Sequence, residues 1–322
     1  MTTPSTSTPS TSTTAAASPT SRPPLVERIA GAPISWGVCE VPDWGHQLDV
    51  GTVLGQMREV GIVATEFGPD GFLPDEPVEK ADALAAAHLR AVGQFVPVVL
   101  HDADHDPVPE VESAIEALTV AGATTVVVAA ATGVDGYDDR PVLSDEQWDT
   151  LLQNLDLVTA TAEAHGLTAT LHPHVGTIVE SGVETERVLA GSRIGLCLDT
   201  GHLLIGGGDP VEVARSHPDR IAHVHLKDVR LEVAERVRSG EVSYTDGVRA
   251  GMYVPLGEGD VDVAAIVGSL EDSGYAGWYV LEQDTILTGP PSQTGVDPAA
   301  DVRASIAHIT AIAEQLGSRT HG

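Results

Sequence analysis

Eight short apolar runs alternate with longer stretches of helical periodicity along this chain, and no other feature limits the fold so tightly. The runs are residues 29–36, 61–66, 91–100, 125–130, 168–172, 194–199, 221–225 and 278–282. They are rich in Val, Ile and Ala and lack a strict in–out alternation. Strands covered on both faces read this way. The stretches between them are amphipathic. Val53, Leu54, Met57 and Val60 recur at helical spacing, and similar patterns cover residues 78–88, 108–121, 145–165, 261–273 and 299–316. Ser144 with Gln147 three residues on predicts a capping box at the head of the longest. Strands joined by helices pair in parallel through right-handed crossovers. About eight such units close most economically as an α/β barrel, the (β/α)₈ or TIM barrel.

The predicted organisation is one catalytic barrel over residues 27–318, preceded by a Ser/Thr/Pro-rich tail over residues 1–26. The tail has almost no large apolar side chains, so it cannot bury enough surface to offset its ordering entropy, and disorder is expected. It lacks the basic and apolar regions of a secretory signal. No run of about 18 apolar residues predicts a membrane helix. Two irregular segments interrupt the rhythm. One runs over residues 69–77. The other, over residues 227–262, carries a helical pattern from Leu231 to Val237 and then Gly257-Glu258-Gly259. A long segment after the seventh strand would lie on the mouth side, where it can cover a substrate.

The charge excludes some partners. With 47 acidic and 17 basic residues the net charge is -30. Phosphate backbones and anionic membranes need clustered Lys and Arg, so nucleic acid and membrane are not expected partners. A small molecule is, and self-association is left open. Two cysteines, Cys39 and Cys197, make no disulfide framework, which favours a reducing cytoplasm. Cys197, inside an apolar run, reads as a buried thiol.

Four strings place metal-binding side chains at the ends of the last four runs. They are Leu171-His172-Pro173-His174, Leu198-Asp199-Thr200-Gly201-His202, His223-Val224-His225-Leu226-Lys227-Asp228 and Leu281-Glu282-Gln283-Asp284. Their spacing is too long for one helix or one zinc finger. Side chains from four strands converge only at the carboxyl-end mouth of a barrel. His172, Asp199, His225 and Glu282 are the expected ligands, with His172 and His174 able to exchange roles. Such a mixed N and O set suits Mn²⁺, Co²⁺, Fe²⁺ or Zn²⁺ better than Ca²⁺. An ion with open positions can hold a carbonyl beside a hydroxyl and acidify the neighbouring proton.

Each of these residues also has a structural reading. Asp199 can cap the next helix, His223 can be a satisfied core histidine, Lys227 can be a rim charge and Asp284 a solvated loop acid. Glu66 ends the second run and can act as a general acid/base or as half of a salt bridge. Proton carriers come from Glu282, Glu66, His202, Lys227 and His174. Substrate contacts are expected from Trp36, His101, His174, His202 and Lys227. Asp102-Ala103-Asp104-His105-Asp106 starts like a calcium loop, but Pro107 and Ser113 occupy positions that need Gly and Glu. Gly206-Gly207-Gly208-Asp209 lacks the Lys and Ser/Thr of a phosphate loop.

The strings at Asp199 and His225 resemble the xylose-isomerase-like barrels, a group of sugar isomerases, epimerases and dehydratases. The likeness covers roughly residues 29–313. It implies one divalent metal held by Glu, Asp, His and Glu, and here His172 stands where the first Glu is common. Residues 32–37, 65–68 and 172–177 narrow the resemblance to the inosose dehydratases of inositol catabolism. That implies a lyase removing water from 2-keto-myo-inositol through a metal-stabilised enolate to give a trihydroxycyclohexane dione. The resemblance favours Mn²⁺ or Co²⁺, with Zn²⁺, Fe²⁺ or Mg²⁺ as alternatives. A ketose or sugar-phosphate isomerase or epimerase of the same fold is the alternative activity. Both begin by removing a proton beside a carbonyl.

Overall fold

The computed structural model describes residues 22–134 and 136–319. Most of the tail expected over residues 1–26 lies outside the described residues. From Arg22 the chain is docked: its guanidinium donates to Tyr275 O at 2.9 Å and pairs with Glu271 at 3.0 Å, and Leu25 is buried.

Eight parallel staves make the barrel: Ile29–Gly31, Ala64–Thr65, a broken third, Thr125–Ala131, Thr168–Leu171, Gly195–Asp199, Ile221–Leu226 and Tyr279–Leu281. The third consists of Arg90–Ala91 and Gly93–Val99, separated by Val92. It stays in register because Val92 N donates to Thr65 O at 3.0 Å. The first stave pairs in parallel with the last, Ile29 opposite Tyr279, which joins the two ends of the sheet. The predicted barrel is therefore the observed one. Its apolar side chains fill the interior and the strand–helix interface as one large core.

Helices Val50–Glu59, Pro77–Ala86, Val108–Ala121, Asp145–Ala164, Val263–Ser273 and Pro298–Arg319 lie where periodicity predicts them. The capping box forms, with Gln147 N donating to Ser144 Oγ at 3.3 Å and Ser144 N to Gln147 Oε1 at 3.0 Å. The first run departs from expectation. Pro33 follows shortly after Gly31, and the chain turns into a 3₁₀ turn, Pro33–Trp36, ended by Gly37 at φ 81°. Proline removes a ladder donor and fixes φ, so the strand cannot continue.

The segment after the seventh stave is ordered. Asp228–Val229 pairs antiparallel with Tyr253–Val254, and helices Leu231–Arg238 and Tyr244–Arg249 lie between. The first of these helices was predicted; the second is too short to show a period. Asp228 fixes both ends of the excursion. Its carboxylate accepts from the backbone N–H groups of Val229, Gly257, Gly259 and Val261 at 2.8–3.0 Å. A Cβ at Gly259 would lie 2.2 Å from that carboxylate, so only glycine fits. Among the described residues no helix is long and apolar enough to cross a membrane.

Candidate active site

The seventh stave aims three side chains into the mouth by simple alternation: His223, His225 and Lys227, all buried. Its register places His225 opposite Asp199 of the sixth stave and Val280 of the eighth. Glu282 follows the eighth stave directly, and His172 follows the fifth. Topology alone therefore brings these residues to one level. His172, Asp199, His225 and Glu282 each present a ligand atom, and these atoms lie within 4.8 Å of one another.

Two atoms show what the cluster fits. His225 Nδ1 and Glu282 Oε2 are 2.6 Å apart, yet neither has a hydrogen-bond partner in bonding geometry. Buried polar atoms left unpaired cost about 1–3 kcal/mol each, and a shared cation removes that cost. The two nitrogens and two carboxylates suit a borderline divalent ion.

Asp199 serves both readings at once. Its Oδ1 caps helix Thr200–Ile205, accepting from Gly201 N at 2.9 Å and His202 N at 2.7 Å. Its Oδ2 faces the cluster, 3.2 Å from His172 Nε2 and 3.7 Å from both His225 Nδ1 and Lys227 Nζ. Gly201 makes room for this meeting, since a Cβ there would lie 2.7 Å from Lys227 Cβ.

Glu66 lies beneath the cluster and is engaged already. Its Oε1 is 2.8 Å from His223 Nε2 and 3.0 Å from His225 Nε2. A carboxylate only accepts, so both imidazoles carry their proton on Nε2 when neutral. His225 thus presents a bare Nδ1 to the cluster, as a ligand must. Burial resists ionisation of Glu66, but His225 and His223 hold it well below the usual carboxylate range. Burial also resists ionisation of Glu282, and His225 and Lys227 bring it down to about 2. Lys227 keeps its charge despite burial because Asp284, Glu282 and Asp199 surround it.

The chamber above the cluster has one polar and one apolar wall. His172, His174, Lys227, Glu282 and Asp284 make the first, and Ala32, Pro33, Ile34, Val38, Trp44 and Phe95 the second. His174 Nδ1 lies 2.7 Å from Val175 O and must donate to it, which leaves Nε2 as a free acceptor. Burial, with the Lys227 charge second, lowers this imidazole to about 4. It is neutral at pH 7. Of the two histidines, His172 and not His174 brings a ligand atom within reach of the other three residues.

Several residues take other places than the sequence suggests. Trp36 does not reach the chamber. The 3₁₀ turn buries it, and its Nε1 donates to Gln56 Oε1 at 2.9 Å. Trp44, from the loop beyond, supplies the aromatic wall, held by Nε1 donating to Thr285 O at 2.9 Å. His101 is buried but does not line the chamber. It lies two residues past the end of the third stave. His202 is fully buried behind His174, their ring centroids 3.7 Å apart, and does not line the chamber. Asp284 is no solvated loop acid. It is buried and bonded to Lys227 and to the Tyr244 hydroxyl. Tyr137, Tyr244 and Tyr253 were missed altogether. Tyr244 and Tyr253 stand in elements too short to show a period, and Tyr137 lies in a loop. Tyr137 lines the rim and its hydroxyl donates to Glu40.

Comparison with known proteins agrees with this construction. The model of the xylose isomerase-like TIM barrel family matches residues 56–312. The chain belongs to that family. An inosose dehydratase of Bacillus velezensis is 31% identical over 271 residues, covering 80% of this chain and 90% of that protein. The rhizopine catabolism protein MocC of Rhizobium meliloti is 35% identical over 270 residues, covering 80% and 81%. Among solved structures, an L-ribulose 3-epimerase superposes with a TM-score of 0.66 at 18% identity, covering 91% of this chain and 97% of that one. The IOLI protein, solved with a zinc atom, gives 0.66 at 13% identity, covering 90% and 99%. At these identities the two structures speak for the fold alone.

Proposed function

We propose that this chain is a metal-dependent hydro-lyase that dehydrates a neutral cyclic polyol ketone, 2-keto-myo-inositol, to a trihydroxycyclohexane dione. The observation that carries this reading is the partnerless pair His225 Nδ1 and Glu282 Oε2 at the floor of a chamber with one apolar wall. His172, Asp199, His225 and Glu282 would hold the ion, Mn²⁺ or Co²⁺ before Zn²⁺, Fe²⁺ or Mg²⁺. When bound, it supplies Lewis acidity that polarises a ketone oxygen.

The remaining work falls to this chain's own side chains. His174 Nε2, neutral and free, takes the proton on the carbon next to the ketone. Lys227 donates a charged hydrogen bond to the hydroxyl on the following carbon. His174 then returns its proton to that hydroxyl as the carbon–oxygen bond breaks, and water leaves. One proton is taken and given back, so the balance closes without a further acid. Glu66 is bound to two imidazoles and is not free to carry a proton. The apolar wall receives the carbon face of the ring, and the polar wall receives its hydroxyls.

The relatives named inosose dehydratase support this substrate, and the chamber supports a neutral one. Lys227 is its one cation, facing Glu40, Glu66, Glu282 and Asp284. A sugar phosphate would meet carboxylates instead of a basic cluster. The two cysteines are free thiols, which supports a cytoplasmic setting.

The decisive experiment incubates the metal-loaded protein with 2-keto-myo-inositol and follows the absorbance of the dione. Dione formation with Mn²⁺ or Co²⁺ is expected. Proton exchange beside the ketone without water loss would instead identify an epimerase or isomerase.

A further inference from the structure

We propose that Asp284 is the specificity-determining residue of the chamber: it occupies Lys227 and thereby shuts out anionic substrates. The proposal rests on the neutral-polyol reading above and names the device behind it. Lys227 Nζ has three carboxylates in reach, Asp284 bonded directly, Glu282 Oε2 at 3.4 Å and Asp199 Oδ2 at 3.7 Å. Asp199 and Glu282 belong to the ligand cluster, and an ion there claims both. Asp284 is then the one carboxylate left to Lys227.

Its other oxygen is held as well. The Tyr244 hydroxyl donates to Asp284 Oδ2, and Tyr253 OH lies 2.9 Å from Tyr244 OH. Both tyrosines come from the excursion after the seventh stave, and both are buried. The excursion therefore does more than cover the mouth. It fixes the carboxylate that fixes the lysine. A carboxylate so placed costs a neutral substrate nothing, because a hydroxyl can accept from the ammonium's remaining N–H groups. A phosphate or carboxylate group would meet a lysine already paired and a like charge beside it. Asp284, read in sequence as a solvated loop acid, thus sets the substrate class.

The test measures binding of inorganic phosphate to the metal-loaded protein, by calorimetry and by the fluorescence of Trp44, with metal content determined for every variant. Asp284→Asn keeps the shape and removes the charge. It is expected to bind phosphate about tenfold more tightly than the unaltered protein, the weight of about one unit of charge interaction at a desolvated site. Adding Lys227→Met to Asp284→Asn should cancel the gain. An unchanged affinity in Asp284→Asn, or a gain that survives in the double variant, would overturn the proposal.

Lys227→Met alone gives a second route that does not depend on Asp284→Asn folding. With Asp284 in place the lysine is already occupied, so phosphate affinity should change by less than about twofold, well under one charge interaction. A tenfold loss would show a lysine free to bind anions, and the proposal would fall. The neutral-polyol reading fails in another way. The unaltered protein would then turn over a sugar phosphate, whatever phosphate affinity the variants show.

Discussion

The two halves of the barrel mouth are built from opposite materials. Staves five to eight end in His172, Asp199, His225 and Glu282, with His174 and Lys227 beside them. The first stave and the loops around it contribute Ala32, Pro33, Ile34, Val38 and Trp44, and the third contributes Phe95. Among the described residues the charges of the first half are Glu40, which accepts from the Tyr137 hydroxyl, and Glu66, which is spent on His223 and His225. The contrast teaches how a small ring can be oriented without a charged handle. One face packs and the other is bonded, so chemistry falls on one side. If this is right, damage to the polar half should stop the reaction, and damage to the apolar half should only loosen the substrate.

The largest effect is expected from the cluster itself. Asp199→Asn with Glu282→Gln removes both ligand carboxylates while keeping shape. Bound metal should drop below one-tenth of the protein, and dehydration should fall by about 10³ or more, the scale of losing an essential Lewis acid. Metal analysis and dione absorbance on the same sample check both. A variant that keeps full metal would move the ion elsewhere in the barrel.

Lys227→Met should come next, with kcat down about 10²-fold and metal content intact, the cost of one charged donor at the leaving group. Glu66→Gln follows. The amide oxygen still accepts from the imidazoles, but its charge is gone. Loss of such a partner typically costs about 10–100-fold in metal affinity. A Co²⁺ titration followed by its visible spectrum reads this without any substrate. If instead kcat fell with unchanged Co²⁺ affinity, Glu66 would be a proton carrier after all.

How far these roles were readable in the sequence depends on what kind of segment holds each residue. The eight runs and six helices follow from periodicity, because burial imposes it on every regular element. The convergence of His172, Asp199, His225 and Glu282 was readable for the same reason: a strand's register fixes where its last residue points. Trp36 was misplaced because one proline turned the chain before the expected strand end. His101 was misplaced because its stave meets the chamber at Phe95 and ends two residues before it. Tyr137 and Asp284 lie in loops and Tyr244 opens a six-residue helix, so no period marks them, and their pairings are 40 or more residues apart in the chain. The double role of Asp199 was visible as two competing readings. In the structure one oxygen caps the helix and the other faces the cluster.

Acidity should weaken the polar half in a defined window. Burial and Lys227 lower His174 from 6.5 to about 4. Below pH 6.5 the unfolded chain takes up a proton that the folded chain refuses until about pH 4. The unfolded state binds more protons there, so stability is full above that window and falls as the pH drops through it. At pH 5 the loss from this one imidazole is about 2 kcal/mol. Urea denaturation at pH 7 and pH 5 should show a drop of at least this size, and His174→Gln should make it smaller by about 2 kcal/mol, while His172, lowered by burial to about 4, keeps its own share. An equal drop in His174→Gln would assign the acid sensitivity to other groups.

The smallest effect belongs to the apolar half. Phe95 is half-buried and stands edge-on to His172, with ring centroids 5.7 Å apart. Phe95→Ala removes packing from the ring face of the substrate but no polar contact. KM should rise about tenfold, equivalent to about 1.4 kcal/mol of lost apolar contact, with kcat within about threefold and metal content unchanged. Steady-state kinetics with 2-keto-myo-inositol separate the two constants. A collapse of kcat at constant KM would mean that Phe95 acts through the His172 and His174 rings. The wall would then be part of the catalytic scaffold, and the division between a packing half and a reacting half would fail at this residue first.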